Sequence, residues 1–197
     1  MSGAVGEARR GGRTRSDSAH TAVLTAAADL LEESGYGKLS IEGIAARSGV
    51  AKSTIYRWWR SKGELVMEAY TQVTARRVPD PDTGAVEKDL LVFLDMLYRA
   101  NAVPRRARVL RGLMAEAQLD DGFRSAFQEW IQGHRTLMAA ILRRGVERGE
   151  LAADLDVEYA VDQVFGPFWY RLLVGHIDLD PAEVPRHVEQ LLRGARP

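Results

Sequence analysis

The stretch from Leu39 to Trp59 constrains the fold most, because it reads as two short helices joined by a tight glycine turn. Ser40 stands where it caps the first of them, and Leu39 with Ile44 occupies the positions of a hydrophobic staple. Gly43 takes the place where a capping box would have Glu or Gln, so this helix depends on packing more than on its own propensity. Gly49 and Val50 make the turn. Residues 53–59 then predict a second short helix, with Ile55 and Trp59 four residues apart on its inner side. Lys52, Ser53, Thr54, Tyr56, Arg57 and Trp58 point outward. That outline is a helix-turn-helix, a shape that sets a helix against DNA.

Helical periodicity continues on both sides. Val23, Leu24, Ala27, Leu30 and Leu31 share one face of a helix predicted from residue 17 or 18 to about 33, and Gly35 is a natural stop in the left-handed conformation. Ser61 and Glu64 have the spacing of a capping box, opening a fourth helix that reaches to about 77. Pro79, Pro81 and Gly84 mark residues 78–84 as a boundary, the one flexible joint expected in the body. Beyond it, helices are predicted over 85–103, stopped by Pro104, then 105–118, 121–148, 157–176, and from 181 or 185 to 193. No run alternates with a period of two, so no sheet is expected. The expected fold class is all-α, about nine helices. It divides into a disordered basic arm (1–16), an N-terminal three-helix helix-turn-helix DNA-binding domain (17–60), and a C-terminal helical ligand-binding and dimerisation domain (61–197).

Composition narrows the functions. The 197 residues contain no Cys, which removes disulfides, thiolate metal sites and cysteine nucleophiles. The longest apolar runs fall far short of the roughly 20 residues that cross a bilayer, so a soluble cytoplasmic protein is expected, with no membrane partner. His20, His134, His176 and His187 are scattered, and no zinc-protease, P-loop or nucleophile-elbow spacing is present. No enzyme activity, no cofactor and no metal are expected. The formal net charge of zero conceals a division: residues 1–77 hold 12 Lys and Arg against 8 Asp and Glu, and residues 78–197 hold 15 against 19. A basic face on an acidic body suits phosphate contact. Arg9, Arg10, Arg13 and Arg15 either follow a minor groove or keep the terminus solvated.

At this point the chain resembles the TetR family of transcriptional regulators. The resemblance runs from about Val23 to Leu65, through Ala26-Ala27-Ala28-Asp29-Leu30-Leu31, Gly35-Tyr36, Ile44-Ala45, Gly49-Val50, Lys52-Ser53-Thr54-Ile55-Tyr56, Ser61-Lys62 and Glu64-Leu65. A weaker likeness lies in Arg148-Gly149-Glu150-Leu151, Asp154-Leu155-Asp156, Gly166-Pro167 and Tyr170-Arg171-Leu172-Leu173. The chain departs from the family at Gly43, where an acidic residue is usual, at Arg57, where an aromatic or His is usual, and at Arg60, where Pro is frequent. The two arginines add charge at the DNA face, so they bear on which operator is read.

The chemistry of the reader helix follows from groove geometry, since sequence is read by short or forked side chains reaching base edges. Lys52, Ser53, Thr54 and Arg57 are the candidates. Arg57 has the fork to pair with a guanine, which discriminates by about 1 to 3 kcal/mol. The resemblance assigns Tyr56, Trp58 and Lys62 to the sugar-phosphate backbone, and Thr54 has the hydroxyl to share that role. Trp58 has a second reading, packing beneath the fourth helix; Trp59 reads as packing.

The resemblance also implies a homodimer on a double-stranded DNA operator, a repressor released by a small apolar or amphipathic effector. Val161, Phe168 and Leu172 on the eighth helix, and Val188, Leu191 and Leu192 on the ninth, form stripes that pair with a mate or fill the chain's own core. Gly166-Pro167 inside the eighth helix predicts a kink. Beneath it, Phe127, Trp130 and His134 on the seventh helix, with Phe165 and Trp169 on the eighth, are candidates to line a pocket. Met67, Phe93, Leu97 and Met114 complete that set. His134 is either a ligand anchor or a hydrogen-bonded core histidine. Effector binding would shift the protein toward a state whose reader helices no longer match the half-sites, with the fourth helix carrying the movement. The rival reading is a helical protein–protein adaptor that binds no operator.

Overall fold

The computed structural model describes the backbone of residues 7–75 and 80–196 and the side chains of 16–74 and 80–196. Among these residues the chain forms nine α-helices and no strand. They are α1 (Glu7–Ser34), α2 (Ile41–Ser48), α3 (Lys52–Trp58), α4 (Lys62–Ala75), α5 (Val86–Ala102), α6 (Pro104–Leu119), α7 (Asp121–Glu147), α8 (Val157–Val174) and α9 (Val184–Ala195). Two compact units emerge, 1–73 and 74–197.

In the first unit α1 begins at Glu7, ten residues ahead of the sequence expectation. Of the disordered arm expected over 1–16, residues 1–6 lie outside the described residues, while 7–16 form the first turns of α1, with only the backbone described up to 15. The apolar face of α1 buries Val23, Leu24, Ala27 and Leu31 as periodicity requires. Gly35 ends the helix, its N–H donating to the Leu31 carbonyl at 2.9 Å. Its φ of 78° is positive as expected, but its ψ of 166° is outside the left-handed helical region and open essentially to glycine alone. This swing feeds a 3-10 turn at Tyr36–Lys38 that periodicity did not reveal.

Ser40 caps α2, its Oγ accepting from Gly43 N–H at 3.1 Å. Gly49 makes the turn into α3 at φ 71° and ψ 12°, a left-handed geometry that a Cβ would strain. Trp59 is the extended residue that closes α3, and it is buried with Ile55. The capping box of α4 closes differently from the expectation. Ser61 Oγ accepts from Glu64 N–H at 3.1 Å, but the Glu64 carboxylate takes the N–H of Arg60, at 2.8 Å, and not that of Ser61. The reach back by one more residue fixes the link between α3 and α4.

The second unit is a helical bundle tied by polar groups. Val78 and Pro79 of the expected flexible joint lie outside the described residues; its remainder is pinned. Arg144 on α7 donates to the Pro81 carbonyl at 2.6 Å, and the fully buried Asp89 on α5 takes both the N–H and the hydroxyl of Thr83 at 2.7 Å. Arg148 pairs with Glu150, whose other oxygen caps α5 through Val86 N–H at 2.8 Å. Gly145 permits this closeness: a Cβ there would stand 2.9 Å from side-chain carbons of Val86 and Leu151. Pro104, expected as a stop, is instead the first residue of α6, where its missing N–H costs nothing.

α8 runs unbroken through Pro167 from Val157 to Val174 and ends at a left-handed Gly175. Proline still deprives the Gln163 carbonyl of its helical donor. His187 on α9 lies with its Nδ1 3.4 Å from the Tyr98 hydroxyl, and its buried Nε2 has no hydrogen-bond partner among the described residues.

Candidate nucleic-acid interface

Each reader-helix residue has a definite place. Lys52, Ser53, Tyr56 and Arg57 are exposed on the side of α3 opposite Ile55, and Thr54 is half-buried. Tyr56 keeps 55% of its surface in solvent although it is a large ring. No described residue therefore seals the face. Arg57 makes no ion pair or hydrogen bond with the described residues, so its five donors are uncommitted. Arg60, also exposed, adds a second cation beside it.

The other two cations are held. Lys52 pairs with Glu42 of α2 at 2.9 Å, and this hydrogen bond raises the lysine pKa and lowers that of the carboxyl. The residue expected to reach base or phosphate thus begins with a carboxylate partner that a phosphate must displace. Lys62 lies over the Tyr36 ring, 3.9 Å from its centroid, with its ammonium 3.3 Å and 3.4 Å from the Tyr36 and Leu39 carbonyls. It secures the 3-10 turn to the start of α4. One of its three donors remains for a phosphate.

Trp58 divides between its two sequence readings: half-buried, it meets the rings of His20 and Trp59 edge-on at 5.3 Å and 5.6 Å. Sequence reasoning gave no hint of Glu42 at Lys52 or of His20 beneath the tryptophans, because both contacts close across turns rather than along one helix.

The residues proposed for an effector fall into separate groups. Phe127, Trp130, His134 and Trp169 form one aromatic cluster, with centroid separations of 5.6 Å, 4.4 Å and 6.4 Å along its edges. Trp130 donates its indole N–H to Thr74 at 3.1 Å, a partner the sequence did not indicate. His134 Nδ1 lies 3.0 Å from the Trp130 carbonyl, which only accepts, so Nδ1 carries the proton. Burial lowers the His134 pKa and keeps the ring neutral. Phe93 and Phe165 form a second pair at 6.0 Å. Leu97 and Met114 are half-buried in the same unit, while Met67 is buried within the first unit. An open groove of about 690 Å³ beside Leu91, Val92, Arg99, Pro181 and Pro185 contains none of them.

The dimer stripe needs correction. Val161, Phe168, Leu172, Val188 and Leu192 are at most 2% exposed in the single chain, so they fill its own core, and Leu191 is half-buried. The reason is that α5 and α6 already cover that side of α8 and α9, as the Tyr98–Phe168 ring contact and the bond from Arg111 to the Leu172 carbonyl at 2.6 Å attest. The apolar side chains that α8 leaves outside are Tyr159, Tyr170, Leu173 and Val174, followed by Ile177.

Fold and interface together define a helix-turn-helix DNA-binding protein with an all-helical second unit. Residues 23–69 match the tetR family of bacterial regulatory proteins, and residues 80–191 match the Tetracyclin repressor-like C-terminal domain. The chain belongs to the TetR family and is a DNA-binding transcriptional regulator. It is 32% identical over 186 residues to the helix-turn-helix-type regulator YdeS of Bacillus subtilis, covering 94% of this chain and 93% of that one. It is 31% identical over 185 residues to the DNA-binding transcriptional repressor TetR of Mycobacteroides abscessus, covering 92% and 93%. The crystal structure of the TetR family transcription regulator SCO0332 superimposes with a TM-score of 0.78 at 35% identity, over 91% of this chain and 99% of that chain. These relatives are regulators, not enzymes by name. Among the described residues no helix is long and apolar enough to cross a membrane.

Proposed function

We propose that the chain is a homodimeric repressor that leaves its operator when a small apolar or amphipathic effector binds. The observation that carries this reading is the outward face of α3, where Ser53, Tyr56 and Arg57 are exposed and Arg57 is uncommitted. In it, Lys52, Thr54, Trp58 and Lys62 assist at phosphates, residues 17–60 bind DNA, and 61–197 carry effector and dimer contacts. The repressor named among the relatives supports the sign of regulation.

A single helix in one major groove selects too few base pairs to find one site in a genome, which favours paired half-sites and a twofold protein. The outward stripe of Tyr159, Tyr170, Leu173 and Val174 is the natural seam. The effector reading rests on the Phe127, Trp130, His134 and Trp169 cluster, large apolar rings around one neutral imidazole. A switch from 99:1 to 1:99 asks for about 5.5 kcal/mol of differential affinity, within reach of a small molecule enclosed by such rings.

Selection of bound duplexes from a random genomic fragment library, followed by anisotropy titration at several salt concentrations, tests the reading. A pseudo-palindromic site bound by a dimer, with affinity falling steeply as salt rises, supports it. Monomeric protein with salt-insensitive, sequence-blind binding overturns it. Tyr170→Glu should split the dimer and with it the paired half-site affinity.

A further inference from the structure

Beneath the reader helix, three elements of the first unit converge on one carboxylate. Trp59, the residue that closes α3, donates its indole N–H to Glu68 Oε2 on α4 at 2.6 Å. The other oxygen of Glu68 faces His20 Nε2 of α1 at 3.7 Å. The His20 ring lies on the Trp59 indole, with centroids 4.6 Å apart and planes inclined by 30°, and meets Trp58 edge-on at 5.3 Å. Trp59 itself is only 2% exposed. Its neighbour Arg60 is tied to the Glu64 carboxylate one turn earlier on α4.

α3 has seven residues, too few to hold its own direction by internal hydrogen bonds, and its N-terminal end has no side-chain cap. Its angle must therefore come from what its ends are fastened to. At the C-terminal end that fastening is the indole of Trp59, gripped in-plane by Glu68 and on its face by His20. A charge-assisted hydrogen bond is short and directional, so it sets the position of the ring and not merely its burial.

We infer that Glu68 and His20 are positioning residues for operator recognition: without touching DNA, they fix the angle at which α3 presents Arg57 and Tyr56 to the groove.

The sign of one measurement separates this from a bystander role. Glu68 is an anion in the DNA-binding unit, and removing it by charge alone should tighten binding to every duplex. The positioning role demands the reverse at the operator. In the full chain, Glu68→Ala is expected to weaken binding to the library-selected duplex about tenfold while leaving a random duplex bound equally or more tightly. Glu68→Gln keeps an acceptor for the indole and should recover most of the loss. Trp59→Phe keeps an aromatic ring for His20 to stack on but removes the indole N–H with its five-membered ring, so it should lose at least as much as Glu68→Ala, and the double variant should be no worse than Trp59→Phe alone. His20→Ala, which removes the stacked ring, should cost a few-fold. Helicity and melting measured alongside identify a variant that fails to fold, and Glu68→Gln with Trp59→Phe then decide. Equal tightening on both duplexes by Glu68→Ala, additive losses in the double variant, or unaltered operator affinity in Trp59→Phe each overturn the inference.

Discussion

In the first unit the ion pairs lie at the surface: Arg47 grips Glu33 through two bonds of 2.7 Å and 2.8 Å, and Lys52 holds Glu42 at 2.9 Å. The second unit has exposed pairs too, Arg99 with Asp95 and Arg196 with Glu87 among them. In addition Asp89 is wholly buried, Arg144 and Arg148 reach it or its neighbours with only about a quarter of their side chains exposed, and the buried Tyr98 meets His187. Exposed pairs are worth about 0 to 1 kcal/mol, so their partners exchange readily with a phosphate or with water. Buried ones commit the chain, because removing one member leaves a charge with no solvent. The first unit keeps these charges negotiable; the second spends Asp89 and the arginines beside it on register.

The sharpest way to break that contrast is at Asp89. Its carboxylate satisfies the Thr83 N–H and hydroxyl and stands 3.8 Å from Arg148. Asp89→Ala should destabilise the protein by about 3 to 5 kcal/mol in denaturant unfolding. Arg47→Ala, which removes an equally well-formed but solvent-exposed pair from the first unit, should cost far less. Comparable losses from the two would erase the distinction.

A smaller effect is expected at the reader helix, and it should appear in binding rather than stability. Arg57→Ala should abolish preference at one base pair, worth about 1 to 3 kcal/mol, and leave the melting temperature unchanged. Lys62→Ala should lower affinity for all duplexes alike and also lower the melting temperature, since its ammonium ties the Tyr36 and Leu39 carbonyls. Competition titrations with single-base operator variants, paired with thermal melts, distinguish the two.

The same contrast explains what could be read in advance. Ser40 on Gly43, the left-handed Gly49, and Ile55 turned inward with Trp59 were legible because each depends on residues three or four apart, and the outward set at Lys52, Ser53, Tyr56 and Arg57 follows from them. The ties of the second unit join Val86 to Glu150, Arg144 to Pro81 and Tyr98 to His187, across 60 or more residues, and periodicity carries no trace of such pairings. The stripe of Val161, Phe168 and Leu172 was correctly seen as apolar. An apolar stripe does not say whether it faces its own chain or a mate, and only the burial by α5 and α6 decides that. The aromatic cluster of Phe127, Trp130, His134 and Trp169 was legible as rings on α7 and α8, but not the Thr74 hydroxyl that holds Trp130.

Acid should act on the second unit by a further, milder route. Burial lowers the pKa of His134, and burial followed by the charge of Arg171 lowers that of His187. Both rings are thus neutral in the fold, and the unfolded chain binds protons more readily than the folded one. Their contribution to stability is fully present above about pH 6.5, the ordinary histidine value, and is lost as the pH falls below it. Unfolding free energy measured from pH 8 to pH 5 should decline over the acid half of that range. His187→Gln, which retains an acceptor for the Tyr98 hydroxyl, should flatten its share of the slope; an unchanged slope in both His187→Gln and His134→Gln would deny the assignment.

The smallest effect tests whether the surface charges of the first unit are as negotiable as the comparison requires. Glu42 holds Lys52 at the very start of the reader helix, and the pair is exposed on both sides. Before Lys52 can neutralise a phosphate it must leave that carboxylate, so part of its attraction for DNA is already spent. Glu42→Gln releases the lysine and removes an anion from the approach to the groove. Affinity should therefore rise by a factor of a few, no more than an exposed pair is worth, and the salt dependence should steepen by up to about one counterion. Folding stability should hardly move, because Ser40 still caps α2. A loss of affinity instead would mean that Glu42 orients Lys52 for a base edge, which would make the pair part of the reading apparatus rather than a charge in waiting.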